Sequence, residues 1–149
     1  MSEHSHEIHV LNGLIETTID SVDGYAEAAK DAENAQFRDL FLARANERRQ
    51  VAARLREAVR REGGEPADDG TVLASAHRAF VGLRSSMSHG DKAVIDEVER
   101  GEDHIKAKYD EALKDEKLSM AARETIQQAY ASVRQGHDQM SAIKRSMHG

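Results

Sequence analysis

The sequence predicts an all-α protein, a four-helix bundle with a short extra helix in the crossover between the second and third long helices. Three observations predict it. The chain has 149 residues with one Pro, no Cys, no Trp and 4% aromatic residues, and it is rich in Ala, Glu, Lys, Arg and Leu, which favour helix over sheet. Four long stretches repeat apolar residues at i, i+3, i+4, i+7 spacing, the signature of helices with one buried face. Between them lie compact stop signals, of which Gly63-Gly64-Glu65-Pro66 is the clearest. The length is that of a single domain spanning 1–149, with residues 1–6 expected to form a flexible N-terminus.

The first helix is expected to begin near Ser5 to Glu7 and to run to about Ala32, with Ile8, Leu11, Ile15, Val22, Ala26 and Ala29 on its stripe. Asn34 is a good N-cap for the second, from about Ala35 to Glu62, which turns Phe37, Phe41, Ala45, Ala52, Leu55 and Val59 inward. Gly63 is expected at the left-handed C′ position that ends this helix. A shorter amphipathic helix is expected over roughly Thr71 to Met87, and Ser88-His89-Gly90-Asp91 breaks it and caps the next. The third long helix, Asp91 to Leu113, buries Val94, Ile95, Val98, Ile105, Tyr109 and Leu113. Ser119 is expected to cap the last, about Met120 to Met147, whose stripe includes Ile126, Ala129, Tyr130, Val133 and Met140. The short helix can carry the chain back along the bundle, so that the second and third long helices run parallel.

Charged groups break the apolar stripes at mid-helix. At about 100° per residue Glu102 falls inside the stripe of the third helix, Arg48 and His137 fall in the middle of two others, and Glu16 lies at the edge of the fourth. Because each lies near the centre of its helix, one buried network of Glu16, Arg48, Glu102 and His137 is expected, with the Arg fork bidentate to one carboxylate and the imidazole bonded to the other. A second reading makes the same layer a metal site of Glu16, Glu99, Glu102 and His137, whose carboxylates and imidazole suit iron or manganese. Di-iron bundles, however, use Glu-x-x-His on two helices. Here Glu47-Arg48-Arg49-Gln50 lacks the His, and Arg134-Gln135-Gly136-His137 lacks the Glu. A buried Arg then supplies the charge that a metal would otherwise bring, so the structural reading, with no cofactor, is preferred. A third reading gives Glu102 or His137 an acid/base role, but no nucleophile or substrate pocket accompanies it.

The formal net charge of −6 argues against nucleic-acid binding, and no apolar run matches a membrane span. The N-terminal MSEHSHEIHV lacks the basic region and apolar core of a secretory signal, so a cytoplasmic location is expected. His4, His6 and His9 form an H-x-H-x-x-H run that binds metals adventitiously. Tyr25, Tyr109 and Tyr130 project toward the bundle, where packing is the simplest role.

The pieces LNGLIETTIDSVDGY, LFLARANERRQVAARL, GGEP, AHRAFVGLRSSM, VERGEDHIKAKYDEAL and QQAYASVRQGHDQM occur in that order from Val10 to about Lys144. Together they resemble an uncharacterised bacterial family of ferritin-like four-helix-bundle proteins that carry a domain of unknown function. The resemblance implies the ferritin-like fold and transfers no catalytic residue; by position, Glu16, Arg48, Glu99, Glu102 and His137 match the family's recurring polar residues. It also implies association as a homodimer or with another helical partner. The function expected from the buried ion network is non-catalytic, that of a stress-associated or assembly protein whose network fixes helix register.

Overall fold

The computed structural model describes residues 2–68 and 90–148. Among these residues are four helices and no strand: α1 (Ser2–Asp31), α2 (Ala35–Arg61), α3 (Asp91–Leu113) and α4 (Met120–His148). The short helix expected over roughly 71 to 87, together with Ser88 and His89, lies outside the described residues. No helix among the described residues is long and apolar enough to cross a membrane.

Local chemistry sets the helix ends. Asn34 caps α2 by accepting a hydrogen bond from the Gln36 amide at 2.8 Å. At the other end Gly63 adopts φ +84° and donates to Arg60 O, while the Gly64 amide donates to Val59 O, each at 3.0 Å. Those two bonds form a Schellman stop. Gly64 has a further reason to be glycine, since a Cβ there would lie 2.8 Å from Ile8 Cδ1. Ser119 Oγ accepts from the Ala122 amide at 3.1 Å and so caps α4.

The start of α1 differs from the sequence expectation. α1 is continuous from Ser2, so most of the six residues expected to be flexible are helical; the apolar stripe begins only at Ile8 and carries no signal for this earlier turn. His6, within that turn, bonds to Asp115 between α3 and α4. α3 starts at Asp91 as expected, and its N-cap is Gly90, within the expected Ser88-His89-Gly90-Asp91 break, with no side-chain cap bond. The Asp91 carboxylate accepts from the amides of Glu33 and Asn34, at 2.7 and 3.0 Å, and so ties the α1–α2 corner to the start of α3.

These ties define the topology. The end of α1 meets the start of α3, while Glu7 near the start of α1 accepts from the Ser119 amide just before α4. α1 and α3 are therefore antiparallel, and so are the pairs α1/α2, α3/α4 and α2/α4, the last bridged by Arg44 to Gln139 and Glu47 to Ser132. It follows that α2 and α3 run parallel across the bundle diagonal. The end of α2 and the start of α3 lie at opposite ends of a bundle roughly 40 Å long, taking 1.5 Å per helical residue.

The core divides into two apolar clusters. One contains Leu11, Ile15, Val51, Leu55, Ile105, Tyr109 and Ile126; the other contains Tyr25, Phe41, Ala45, Val94, Ile95 and Met140. On every helix the numbering leaves a gap between the clusters, and Ser21, Arg48, Glu102 and Gly136 occupy it.

Candidate functional site

Arg48 and Glu102 are fully buried, at 0% and 1% exposure, in that gap. They face each other as a fork: Arg48 Nη1 donates to Glu102 Oε1 and Nη2 to Oε2, each at 2.7 Å. Nη1 also donates to Ser21 Oγ at 2.7 Å, and Nη2 to the carbonyl of Val133 at 3.3 Å. Four of the five guanidinium N–H donors are thus used, and one side chain on α2 binds all three other helices. Only Nε lacks a partner. The guanidinium lies 5.6 Å from the centroid of the Tyr25 ring, close enough for a cation–π contact. Burial works against the Arg48 charge, but the hydrogen bonds and charge of Glu102 outweigh it and raise the pKa above the ordinary arginine value. Burial, followed by the charge of Glu102, pushes the Tyr25 hydroxyl well above the usual tyrosine range.

Gly136 makes room for this pair. A Cβ at that position would lie 2.5 Å from Arg48 Nη2 and 2.9 Å from Glu102 Oε2. A second arginine, Arg44, lies one turn from Arg48 on the same face and is also buried. It reaches Gln139 Oε1 through Nε and Nη2, at 3.1 and 2.8 Å, and Glu47 Oε1 through Nη1 at 2.6 Å. Ser132 donates to the same Glu47 oxygen at 2.8 Å.

The four residues expected to form one network separate into three places. Arg48 and Glu102 meet as described. Glu16 is half-buried and five residues before Ser21, the α1 residue that reaches Arg48, a rise of roughly 7.5 Å along the helix. Mid-helix position misplaces it because the middle of α1, near Glu16, is not level with the middle of α2: the α1 residue that meets Arg48 is Ser21. His137 is half-buried and faces outward between α3 and α4, where Nε2 lies 2.7 Å from Asp103 Oδ1 and Nδ1 lies 3.2 Å from Asp138 Oδ1. The following turn of α4 holds Ser141, which donates to Glu99 Oε2 at 3.2 Å, and Lys144, which donates to Oε1 at 3.3 Å. Burial lowers the affinity of His137 for a proton, but the bonds to Asp103 and Asp138 outweigh it and raise its pKa above the ordinary histidine value. Arg44, Ser21, Gly136 and Asp103 escaped the sequence reading. Arg44 was findable, since it precedes Arg48 by one helical turn.

The arrangement does not fit a dinuclear metal centre in the core. Both oxygens of Glu102 are occupied by the Arg48 fork, Glu47 is held by Arg44 and Ser132, and Glu16 lies at another height. A guanidinium already occupies the position where a core metal would neutralise carboxylates.

The tyrosines take different roles. Tyr109 is buried and donates to Thr18 Oγ1 at 2.8 Å, because Thr18 spends its own proton on Leu14 O at 2.6 Å. Burial pushes the Tyr109 pKa up to about 12. Tyr130 is half-buried, stacks 6.2 Å from Tyr109 and donates to Asp110 at 2.5 Å.

A separate acidic pair lies at the end of the bundle. Glu7 is buried, and the half-buried Glu62 shares a hydrogen bond with it beside an open cleft lined also by Arg61, Lys117 and Ser119. Burial first, then the bond and charge of Glu7, lifts the Glu62 pKa from an ordinary 4.5 to about 7. Between these values the folded chain holds a proton that the unfolded chain has released. The stabilising effect is complete below about pH 4.5 and is lost as the pH rises through about 7. Glu62→Gln is therefore expected to raise the melting temperature above pH 7 and to leave it unchanged near pH 4. An equal gain at both pH values would contradict the shared proton.

Glycine substitutions test the central packing. Gly101, exposed on α3, has nothing within 4 Å of its would-be Cβ, and Gly101→Ala is expected to stabilise by about 1 kcal/mol through helix propensity. Gly136→Ala has the same propensity gain but drives a methyl into the Arg48 fork, and a net loss of about 1–3 kcal/mol is expected in urea unfolding. Equal, stabilising effects at both sites would mean that the fork yields freely.

No curated protein matches the chain. A family model does match it, over residues 6–115, covering α1 from His6 on and all of α2 and α3, with Arg48, Glu99, Glu102 and Asp103. The chain belongs to the family described as "Domain of unknown function (DUF2383)".

Proposed function

We propose that this protein is a non-catalytic, ferritin-like helical bundle in which a permanent ion pair takes the place of a core metal, and that it serves as a structural or interaction protein. The observation that carries the reading is the Arg48–Glu102 fork: both oxygens of Glu102 are engaged by a buried guanidinium whose fixed positive charge opposes a metal ion beside it. The parallel course of α2 and α3, joined by one long crossover, supports the ferritin-like assignment. The reading extends to a bacterial, cytoplasmic protein of the stress-associated or assembly kind.

The alternative, an iron or manganese site built from Glu16, Glu99, Glu102 and His137, draws less support because those side chains occupy three separate environments. Tag-free protein is expected to oxidise Fe(II) in air no faster than buffer does, and its iron and manganese content is expected to be the same in Glu102→Gln as in the parent. Near-stoichiometric iron or manganese that disappears in Glu102→Gln would overturn the proposal.

A further inference from the structure

The outward-facing neighbours of the central pair form a second polar group. Asp103 follows Glu102, and His137 follows Gly136, so the two helices that pack against Arg48 present Asp103 and His137 on their outer flank at the same height. Glu99 lies one turn from Asp103 on α3, and one ligand atom from each of Glu99, Asp103 and His137 lies within 4.8 Å of the others. We propose that Glu99, Asp103 and His137 form a binding site for one divalent first-row transition ion of the zinc class, on the flank between α3 and α4 and separate from the Arg48–Glu102 pair.

The imidazole and its surroundings distinguish this trio from an acidic surface patch. Two hard oxygen donors and one nitrogen donor make the mixed set that borderline ions prefer. Without an ion, His137 Nε2 donates to Asp103 at 2.7 Å; a metal would take the place of that proton, and Asp138, 3.2 Å from Nδ1, would keep the other ring proton and hold the imidazole in orientation. Ser141 donates to Glu99 Oε2 and orients that carboxylate as well. Two of the ligands are held by packing, with side-chain exposures of 17% for His137 and 13% for Glu99, and Asp103 at 58% is free to adjust. Tetrahedral ligand atoms around an ion bound at about 2.1 Å lie roughly 3.4 Å apart, so closure requires only rotamer-scale movement. Water would complete the coordination. Lys144, 3.3 Å from Glu99 Oε1, is the competing cation.

The test uses the full chain without a tag and with His4→Gln, His6→Gln and His9→Gln, titrated with zinc sulfate in a calorimeter and followed in parallel by the imidazole nitrogen resonances. One ion is expected to bind per chain and to shift the His137 resonances selectively. His137→Ala is expected to weaken binding at least ~10-fold, and Asp138→Asn about 10-fold through loss of ring orientation. Lys144→Met is expected to tighten it. Asp103→Asn, at the most exposed ligand, provides an arm in which the fold is undisturbed, and it too is expected to weaken binding. Unchanged affinity in Asp103→Asn, or no saturable binding at about 1 mM zinc, at some 1,000 times a micromolar Kd, would overturn the proposal. Because Glu102→Gln leaves these ligands in place, failure here is distinguishable from failure of the core reading.

Discussion

Taking Arg48 and Glu102 out of water costs several kcal/mol per ion, and the bundle is arranged around recovering that cost. Recovery requires a two-pronged carboxylate, a hydroxyl from α1, a carbonyl from α4 and a gap in α4 where Gly136 carries no side chain. Each requirement fixes one helix relative to α2. Sliding a helix by one residue along the bundle would move its partner by about 1.5 Å and rotate it by about 100°, which would strand a buried charge. Apolar clusters above and below tolerate small slips far better, since dispersion and hydrophobic burial are not directional. The ion pair therefore specifies register, while the two clusters supply most of the net stability.

Charge balance links the inner and outer layers. Inside, a guanidinium neutralises Glu102 permanently, so the core needs no ion to be electrically satisfied. Outside, Glu99 and Asp103 meet His137, Ser141 and Lys144, groups that a divalent ion can displace or join. Adjacent residues on the same two helices thus divide the work, one set held shut by arginine and the other open to exchange. The acidic pair Glu7 and Glu62 repeats the theme at the bundle end, where a proton takes the neutralising role.

Helix periodicity made most of the architecture legible in the sequence. The four stripes, Asn34 and Ser119 as caps, and the Gly63 stop all follow from local rules that tertiary structure did not override. Arg48 and Glu102 were legible for the same reason, as charges in apolar rows. Periodicity gives a residue's azimuth but not its height, and height depends on where each helix starts. That is why Glu16 was expected at the level that Ser21 occupies. His137 shows the other limit: it was expected in the middle of the α4 stripe, but Gly136 takes the position facing Arg48 and His137 turns to Asp103 on the flank, a rotation that an average period does not resolve. The reach of the Asp91 carboxylate to the α1–α2 corner was not legible, because local sequence rules do not see contacts between distant residues.

The central claim is that Arg48 and Glu102 act as one unit, and a double-mutant cycle measures this directly by urea unfolding of Arg48→Met, Glu102→Leu and the combination. Each single change strands one buried charge and is expected to cost about 3–5 kcal/mol. The double change leaves an apolar layer and is expected to lie close to the parent in stability, giving a large favourable coupling. A double variant as unstable as the sum of the two single changes would show that the residues contribute independently and would contradict the account.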